Sequence, residues 1–456
     1  MQRFPATSRQ RWYFRAHHDG QSTLNVPVAI QLGSCDEHAV SEAIHGLVSR
    51  HDALRTTLTR SGTGVVQQVS TTAEEVSLDV ADVGDISPDE LQKLVLAILD
   101  EPFHVHDGSL FRSRLLRLGA SRSVLVLSVH HAICDGWSAG IIFRDFAELY
   151  RSARDTRGPV LPRLDLQLPD YATWEWKLAT EDPPYYWPHL LSSQNPRFPL
   201  GSREAADTGA GVFQSFPLPT VSVQTGAELG RLAVECRTTP ARVVTAAVAA
   251  SLAPVVGPRL TVGVFVGNRD QPELLNVVGD LADRLPVVVD TAGNPSFGEL
   301  IGRVDDGIAA ALDHYAPMAA LAPLIRANPE RRAGPLVDVT VNYLPHRTQL
   351  NRAPDGTVAD SVTELEPELE HRSFRVDQWR EGFGIVDYQH RPRPDGTIGG
   401  YLLANINVLT PEQAHALGSM TNETLVRLVT EPGRRVADLA RPAFDRSMLG
   451  KKIDYE

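Results

Sequence analysis

Arg122-Ser123-Val124-Leu125-Val126-Leu127-Ser128-Val129-His130-His131-Ala132-Ile133-Cys134-Asp135-Gly136-Trp137-Ser138 is the stretch that decides how this chain is read. Residues 122–130 are nearly continuous in apolar side chains, the pattern of a central strand covered on both faces. The period then changes. Ser138 is placed to cap a helix whose apolar stripe is Ile141, Ile142, Phe146, Leu149 and Tyr150. Two adjacent histidines at the end of a strand point to opposite faces, so one turns into the structure and the other can face a cleft. Asp135, four residues after His131, can fold back to hold the turn or a ring nitrogen, and Gly136 permits a sharp bend. A histidine in this place can serve as a general base, because its ordinary pKa of about 6.5 lets it take a proton from an amine or hydroxyl at neutral pH. No separate nucleophile is needed if the substrate arrives activated, as a thioester.

Other readings of the same residues are open. His130 and His131 can be ordinary strand-end histidines, with Asp135-Gly136 a turn. Gly136-Trp137-Ser138-Ala139-Gly140 fits G-x-S-x-G, but the strand ends well before the serine, whereas a hydrolase elbow puts it at the strand-to-helix turn. Metal ligation is disfavoured, since adjacent histidines rarely converge on one ion and no second ligand cluster is visible. Cys134 reads as a small hydrophobe rather than a nucleophile. His17-His18-Asp19-Gly20 has similar letters without the spacing.

Outward from this stretch, strands and helices alternate. Residues 26–32 predict a strand, 37–50 a helix carrying Val40, Ala43, Ile44, Leu47 and Val48, and 54–59 with 64–69 a hairpin. Ser87-Pro88 opens a helix to Leu99. Residues 110–118 are a strand joined to 122–130 by a Gly-Ala turn. Residues 153–169, with prolines at 159, 162 and 169, read as a linker between lobes, which places the division at 1–165 and 166–456. Later, Thr239-Pro240 opens an Ala/Val-rich helix with cap and proline in place. Residues 259–266, 285–290, 336–343, 383–389 and 400–408 predict strands, Ser296–Tyr315 a helix, and Thr410-Pro411 opens the last helix. Residues 346–375 read as a polar excursion.

Length and composition agree. A chain of 456 residues is too long for one core, and two lobes of about 150–250 residues are the default. Apolar residues make up 42% and charged residues 22%, as in a globular protein. The net charge of −12 argues against nucleic acid and an anionic membrane surface as partners. Cys35, Cys134 and Cys236 form neither a disulfide framework nor a zinc site, which fits a reducing cytoplasm. Met1-Gln2-Arg3-Phe4-Pro5 carries no apolar run of the kind a signal peptide needs, so none is expected, and no apolar run reaches membrane-spanning length.

The segment His130–Ser138 resembles the HHxxxDG motif of the condensation-domain family of nonribosomal peptide synthetases. Ser49-Arg50-His51-Asp52-Ala53-Leu54-Arg55-Thr56 is similar to the family's RHExLRT segment. Pro169-Asp170-Tyr171-Ala172-Thr173-Trp174 is similar to YxDYAxW, and Tyr186-Trp187 with Leu190 to the YW…L that follows. Ser8-Arg9-Gln10-Arg11-Trp12-Tyr13-Phe14 partly matches the opening SxAQxRLW, with altered aromatic spacing. The matches run in family order over nearly the whole chain. Two stretches depart: Asp280-Leu281-Ala282-Asp283-Arg284-Leu285-Pro286 stands for VNTLPLR, and His314-Tyr315-Ala316-Pro317-Met318-Ala319-Ala320 for HQDVPFE. The heterocyclising variant carries DxxxxD in place of the histidines, and the epimerising variant a VSW stretch after DG. Gly136-Trp137-Ser138 favours condensation.

The resemblance implies an α/β fold of two chloramphenicol-acetyltransferase-like lobes in a V around a central tunnel. A carrier protein would present its acyl thioester on a phosphopantetheine arm, and the acceptor would be a small molecule or a second carrier-bound group. The enzyme itself would hold no cofactor and no metal. His131 would be catalytic, His130 mostly buried structure, Asp135 paired with Arg269, and Gly136 the backbone near the thioester. Trp137 counts with Arg269 as support. Asn342 is assigned to the acceptor side, with an amide closing a strand end as the other reading. With no carrier or adenylation region, the chain looks free-standing or excised. The expected reaction is amide or ester formation in natural-product biosynthesis. The alternatives are a coenzyme-A-dependent acyltransferase, for which Glu381-Gly382-Phe383-Gly384 is only a shadow of the DFGWG segment, and a non-catalytic docking domain.

Overall fold

The computed structural model describes residues 1–33, 35–73, 77–119, 122–193, 205–206, 210–328, 334–344, 362–365 and 372–439. The chain forms two compact units, and each is discontinuous in sequence. The first comprises Met1–Lys177, Gly267–Ala282 and Arg347–Glu368; the second comprises Leu178–Val266, Asp283–His346 and Leu369–Glu456.

In the first unit, α1 (Ser8–Ala16) is followed by β1 (Asn25–Leu32), α2 (Glu37–Arg50), a hairpin of Thr56–Ser61 with Gly64–Val69, β2 (Leu78–Asp82), α3 (Pro88–Leu99), β3 (Phe111–Leu118), β4 (Arg122–His130), α4 (Gly136–Asp155) and α5 (Leu168–Thr180). Its main sheet has β1 and β3 antiparallel on either side of β4, with β2 parallel to β3 at one edge. Strand Val362–Leu365 pairs antiparallel with β1 at the other edge, so the late polar stretch brings a strand back to this sheet; most of 346–375 lies outside the described residues. Its described residues pair with Ala29–Leu32.

Every residue of β4 after Arg122 is buried, as its apolar run predicts. Val95, Ile98 and Leu99 of α3 pack on Ala29, Leu116, Leu118, Val124 and Val126. Alternation sends Leu125 and Leu127 to the opposite face, the side on which α4 meets β1 and α2. Ser87 caps α3 through a full capping box with Glu90, and Pro88 takes the first helical position. A buried ionic cluster locks α2 to α4: Asp145 Oδ2 accepts from Arg50 Nε at 2.8 Å and stands 3.0 Å from His51 Nε2, while Oδ1 accepts from Arg144 Nε at 2.8 Å. Burial opposes the charge, but His51, Arg144 and Arg50 draw Asp145 down to about 2. The resemblance to the RHExLRT segment therefore falls on residues that join helices.

The region expected to be a linker stays with the first unit. Gln167 Nε2 donates to Arg50 O at 3.0 Å, its Oε1 accepts from Asp52 N at 3.2 Å, and Arg50 also donates to Pro162 O. These bonds satisfy backbone groups that a free linker would leave to water.

The second unit is built on a seven-stranded mixed sheet. Its elements include β5 (Gly211–Pro217), α6 (Pro240–Val256), β6 (Arg259–Val266), β7 (Asp283–Asp290), α7 (Phe297–Asp313), β8 (Val339–Tyr343), β9 (Ser373–Val376), β10 (Val386–Pro392), β11 (Ile398–Asn405) and α8 (Pro411–Thr430). The order is β7-β6-β8-β10-β11-β5-β9. Pro286 is accommodated because β7 is an edge strand. Residues Val243–Leu252 of α6 are all buried, so the helix is enclosed on every side, and its two hydroxyls, Thr245 and Ser251, are hydrogen-bonded. Pro240 opens α6 as expected, but the Thr239 side chain makes no capping bond. Among the described residues no single helix is long and apolar enough to cross a membrane.

Candidate active site

The HHAICDG stretch sits where β4 ends, and neighbouring strand starts hold it there. His130 N donates to Leu110 O and His131 N to Leu24 O, each at 2.8 Å. His131–Ile133 then makes one turn of 3-10 helix before α4.

The two imidazoles meet opposite fates, as alternation requires. His130 is fully buried. Its Nδ1 accepts from Ala132 N at 3.1 Å, which requires that nitrogen to be unprotonated, so Nε2 carries the hydrogen and donates to Ser22 Oγ at 2.9 Å. Tyr13 and Phe103 meet the ring edge-on. Burial, reinforced by His131 and His17, pushes the His130 pKa down to about 3. This histidine is a neutral strut with no nitrogen left for chemistry.

His131 keeps 37% of its side chain exposed. Its ring stacks on Tyr13, with centroids 5.7 Å apart and planes at 22°. Nδ1 is shut off from solvent, so the open edge of the ring carries Nε2. Nδ1 stands 3.5 Å from Asp280 Oδ2, an ion-pair contact longer than an N–H···O hydrogen bond, and makes no hydrogen bond of its own among the described residues.

Asp135 holds structure rather than a ring nitrogen. It is the N-cap of α4: Oδ1 accepts from Ser138 N at 2.8 Å. Arg269 grips it with two nitrogens, NH1 to Oδ2 at 2.7 Å and NH2 to Oδ1 at 3.2 Å, and Leu281 N donates to Oδ2 at 3.2 Å. The pairing implied for Asp135 and Arg269 is present.

Ser138 differs from its expected role as cap. A hydroxyl three residues into the helix is free for tertiary bonding once Asp135 has taken the cap. Ser138 Oγ donates to Gly279 O at 2.8 Å and accepts from Gly279 N and Arg269 NH2, each at 3.0 Å. Gly136 opens α4 and is not among the residues with positive φ, so the bend expected there does not use left-handed backbone. Cys134 is buried and its thiol points to Asp135 O. Trp137 Nε1 donates to Leu275 O at 3.0 Å, and its ring lies 5.9 Å from the Arg269 guanidinium.

These bonds converge on one segment, Gly267–Ala282. Arg144 NH1 holds Asn276 Oδ1 at 2.9 Å, and Tyr171 of α5 and Asn268 both donate to Leu281 O. The segment is stitched to α4 and α5 and delivers Asp280 beside His131. Asp280 is buried, and its Oδ2 accepts from Arg9 Nε at 3.2 Å. Burial works against its charge, yet Arg9 and then His131 outweigh it and hold the carboxyl below the ordinary carboxylate range. Arg9 NH2 also donates to Tyr13 Oη at 2.8 Å, and burial pushes that phenol well above its usual value.

Asn342 lies on β8 of the second unit, where Nδ2 donates to Gln389 Oε1 across the β8–β10 pair at 3.0 Å. Among the described residues no group of three or more His, Cys, Asp or Glu could hold a metal ion.

A sequence model of the condensation domain matches residues 1–378. The chain belongs to the condensation-domain family. This condensation domain is 30% identical, over 94% of its length, to a probable non-canonical nonribosomal peptide synthetase, CymA, of Salinispora arenicola, and spans 6% of that synthetase. Among solved structures it resembles the SgcC5 protein of Streptomyces globisporus with a TM-score of 0.76 at 23% identity, covering 94% of this chain and 100% of that one. It also resembles the X-domain from teicoplanin biosynthesis, with a TM-score of 0.74 at 24% identity over 96% and 97% of the two chains. The α/β fold with mixed sheets is that of condensation domains.

Asp280, Arg9 and Tyr13 were not singled out as site residues from sequence. The available signal was departure from the family pattern: Asp280 opens the stretch that replaces VNTLPLR, and Arg9 and Tyr13 lie in the segment with altered aromatic spacing.

Proposed function

We propose that this domain joins a carrier-bound acyl thioester to an amine or alcohol, with His131 Nε2 as the base. The observation that carries this reading is the division of labour between the histidines. Both nitrogens of His130 are engaged in structure, while His131 presents one open nitrogen at the end of a rigid central strand.

The acceptor nitrogen or oxygen attacks the thioester carbonyl as its proton passes to Nε2, giving a tetrahedral oxyanion. Collapse breaks the carbon–sulfur bond, and the imidazolium returns the proton to the departing phosphopantetheine thiolate. The thioester drives the reaction, so no nucleotide is consumed. General-base help of this kind is worth roughly 10²- to 10⁴-fold, and holding both reactants in place contributes further. Asp135, Arg269 and Ser138 act at a distance, by fixing the start of α4 against Gly267–Ala282. Gly136 puts the backbone beside the thioester and Trp137 supports it, as the family pattern implies.

The test is an intact-mass assay in which acyl-loaded carrier protein meets the domain and a panel of amines and alcohols, with acyl-coenzyme A in parallel. Turnover from the carrier alone, lost in His131→Ala, is the expected result and names the acceptor class. Turnover from coenzyme A alone assigns the chain to small-molecule acyl transfer. Binding without turnover in either set assigns it a recruiting role.

A further inference from the structure

The HHxxxDG motif supplies its own aspartate, but that residue is fully occupied by Arg269, Ser138 N and Leu281 N. A different carboxylate stands against the base. Asp280 has a side chain at 0% exposure, and a buried carboxylate persists only where donors compensate it. Arg9 donates to Oδ2 and also holds the Tyr13 hydroxyl beside it, while Oδ1 makes no hydrogen bond among the described residues. Its remaining neighbour is His131 Nδ1, 3.5 Å from Oδ2.

The chemistry of that pair fixes a tautomer. An ionised carboxylate only accepts hydrogen bonds, so the ring nitrogen facing it carries the hydrogen. The lone pair of neutral His131 then lies on Nε2, at the open edge. We propose that Asp280 is the positioning residue of the base: it holds His131 as the Nδ1–H tautomer and stabilises the imidazolium formed when Nε2 takes the acceptor's proton. This rests on the reading of His131 as base. At 3.5 Å the two groups do not hydrogen-bond, and the contact is expected to tighten when the ring becomes charged, as contacts in substrate-free sites commonly do. The groups facing His131 are Arg9 and Tyr13 from α1, His130 from β4 and Asp280 itself. Arg9 keeps Asp280 ionised while moderating the basicity it confers, and Tyr13 sets the plane of the ring.

Two-bond ¹H–¹⁵N correlation spectra of histidine-labelled protein, with His131 assigned by its loss in His131→Gln, read the tautomer without any variant of Asp280. The expected pattern is a protonated Nδ1 and an unprotonated Nε2 in the neutral ring. An Nε2–H tautomer in the unaltered protein overturns the proposal. Asp280→Asn is isosteric; it is expected to mix the tautomers and reduce kcat about 10³-fold or more with little change in KM. A tautomer and kcat unchanged in Asp280→Asn would also refute it. The base reading fails separately: if the tautomer is as stated but His131→Ala turns over normally, Asp280 orients the ring and another group takes the proton.

Discussion

Replacing Asp135 by alanine removes the acceptor of four donors at once, and the cost can be worked from its surroundings. Asp135 and Arg269 are each only 3% exposed. Without the carboxylate, Arg269 keeps its charge among neutral acceptors only: Gly267 O, Val277 O, Gly279 O and Ser138 Oγ. Orphaning one member of a buried pair costs about 3–5 kcal/mol, and losing an N-cap about 1 kcal/mol. The same carboxylate serves both roles, so the sum is an upper bound and about 4 kcal/mol is the expected loss. For a unit of this size each kcal/mol lowers the melting temperature by roughly 2–4 °C, so Asp135→Ala should melt about 8–16 °C below the parent. The measurement is calorimetric or near-ultraviolet thermal unfolding, with urea titration at fixed temperature for the free energy. The pair Asp135→Leu with Arg269→Met removes the orphaned charge and should recover most of the loss. Activity should stay low in both proteins, because the clamp on the segment carrying Asp280 is gone. Asp135→Ala melting within about 1 °C of the parent would refute the structural role, and a double variant no more stable than the single one would refute the orphaned charge as its cause.

His131→Ala should lose roughly 10²- to 10⁴-fold in rate yet melt near the parent, since its ring is part exposed and its neighbours keep their other partners; steady-state kinetics and a melting curve check both halves. Stability should fall as pH is lowered, in two stages. Between 6.5 and about 3 the unfolded chain binds a proton at His130 that the folded one refuses, so stability declines by up to about 1.4 kcal/mol per pH unit; His130→Gln should flatten that slope in urea titrations, and an unchanged slope contradicts the assignment. Buried His51, also lowered, adds in the same direction. Asp145, at about 2 in the fold against an ordinary 3.8, contributes its stabilisation above the latter value and loses it as pH falls through the former. Asn342→Ala forfeits one part-buried bond and should cost about 0.5–1.5 kcal/mol; a KM change confined to the acceptor would put this amide on the acceptor side.

How much could be read without coordinates follows from where the information lies in the chain. β4 announces itself because a strand covered on both faces must be apolar at every position, and Ser87-Pro88 announces α3 because a capping box is local chemistry. The opposed histidines follow from alternation, which two adjacent letters specify. Ser138 shows the limit of local reasoning: serine is a good cap, but an aspartate three residues earlier is as good, and only the nearness of Gly279, 141 positions away, decides that the hydroxyl is used elsewhere. The same holds for the division of the chain. Prolines at 159 and 162 look like a linker until Gln167 and Arg50 are seen to bind the segment back. Asp280 is the strongest case. No spacing connects positions 9, 131 and 280, and a buried acid beside a half-exposed histidine is visible only once three distant segments are packed. What sequence did offer was a pair of mismatches to the family pattern, at the opening helix and at Asp280–Pro286. Read singly, each weakens the resemblance. Brought together by the fold, Arg9 neutralises Asp280, Asp280 faces His131 and Tyr13 stacks on its ring, so the departures compensate one another electrostatically. An unpaired acid at 280 could not stay ionised in that site, which is why Arg9 and Asp280 are intelligible only as a pair.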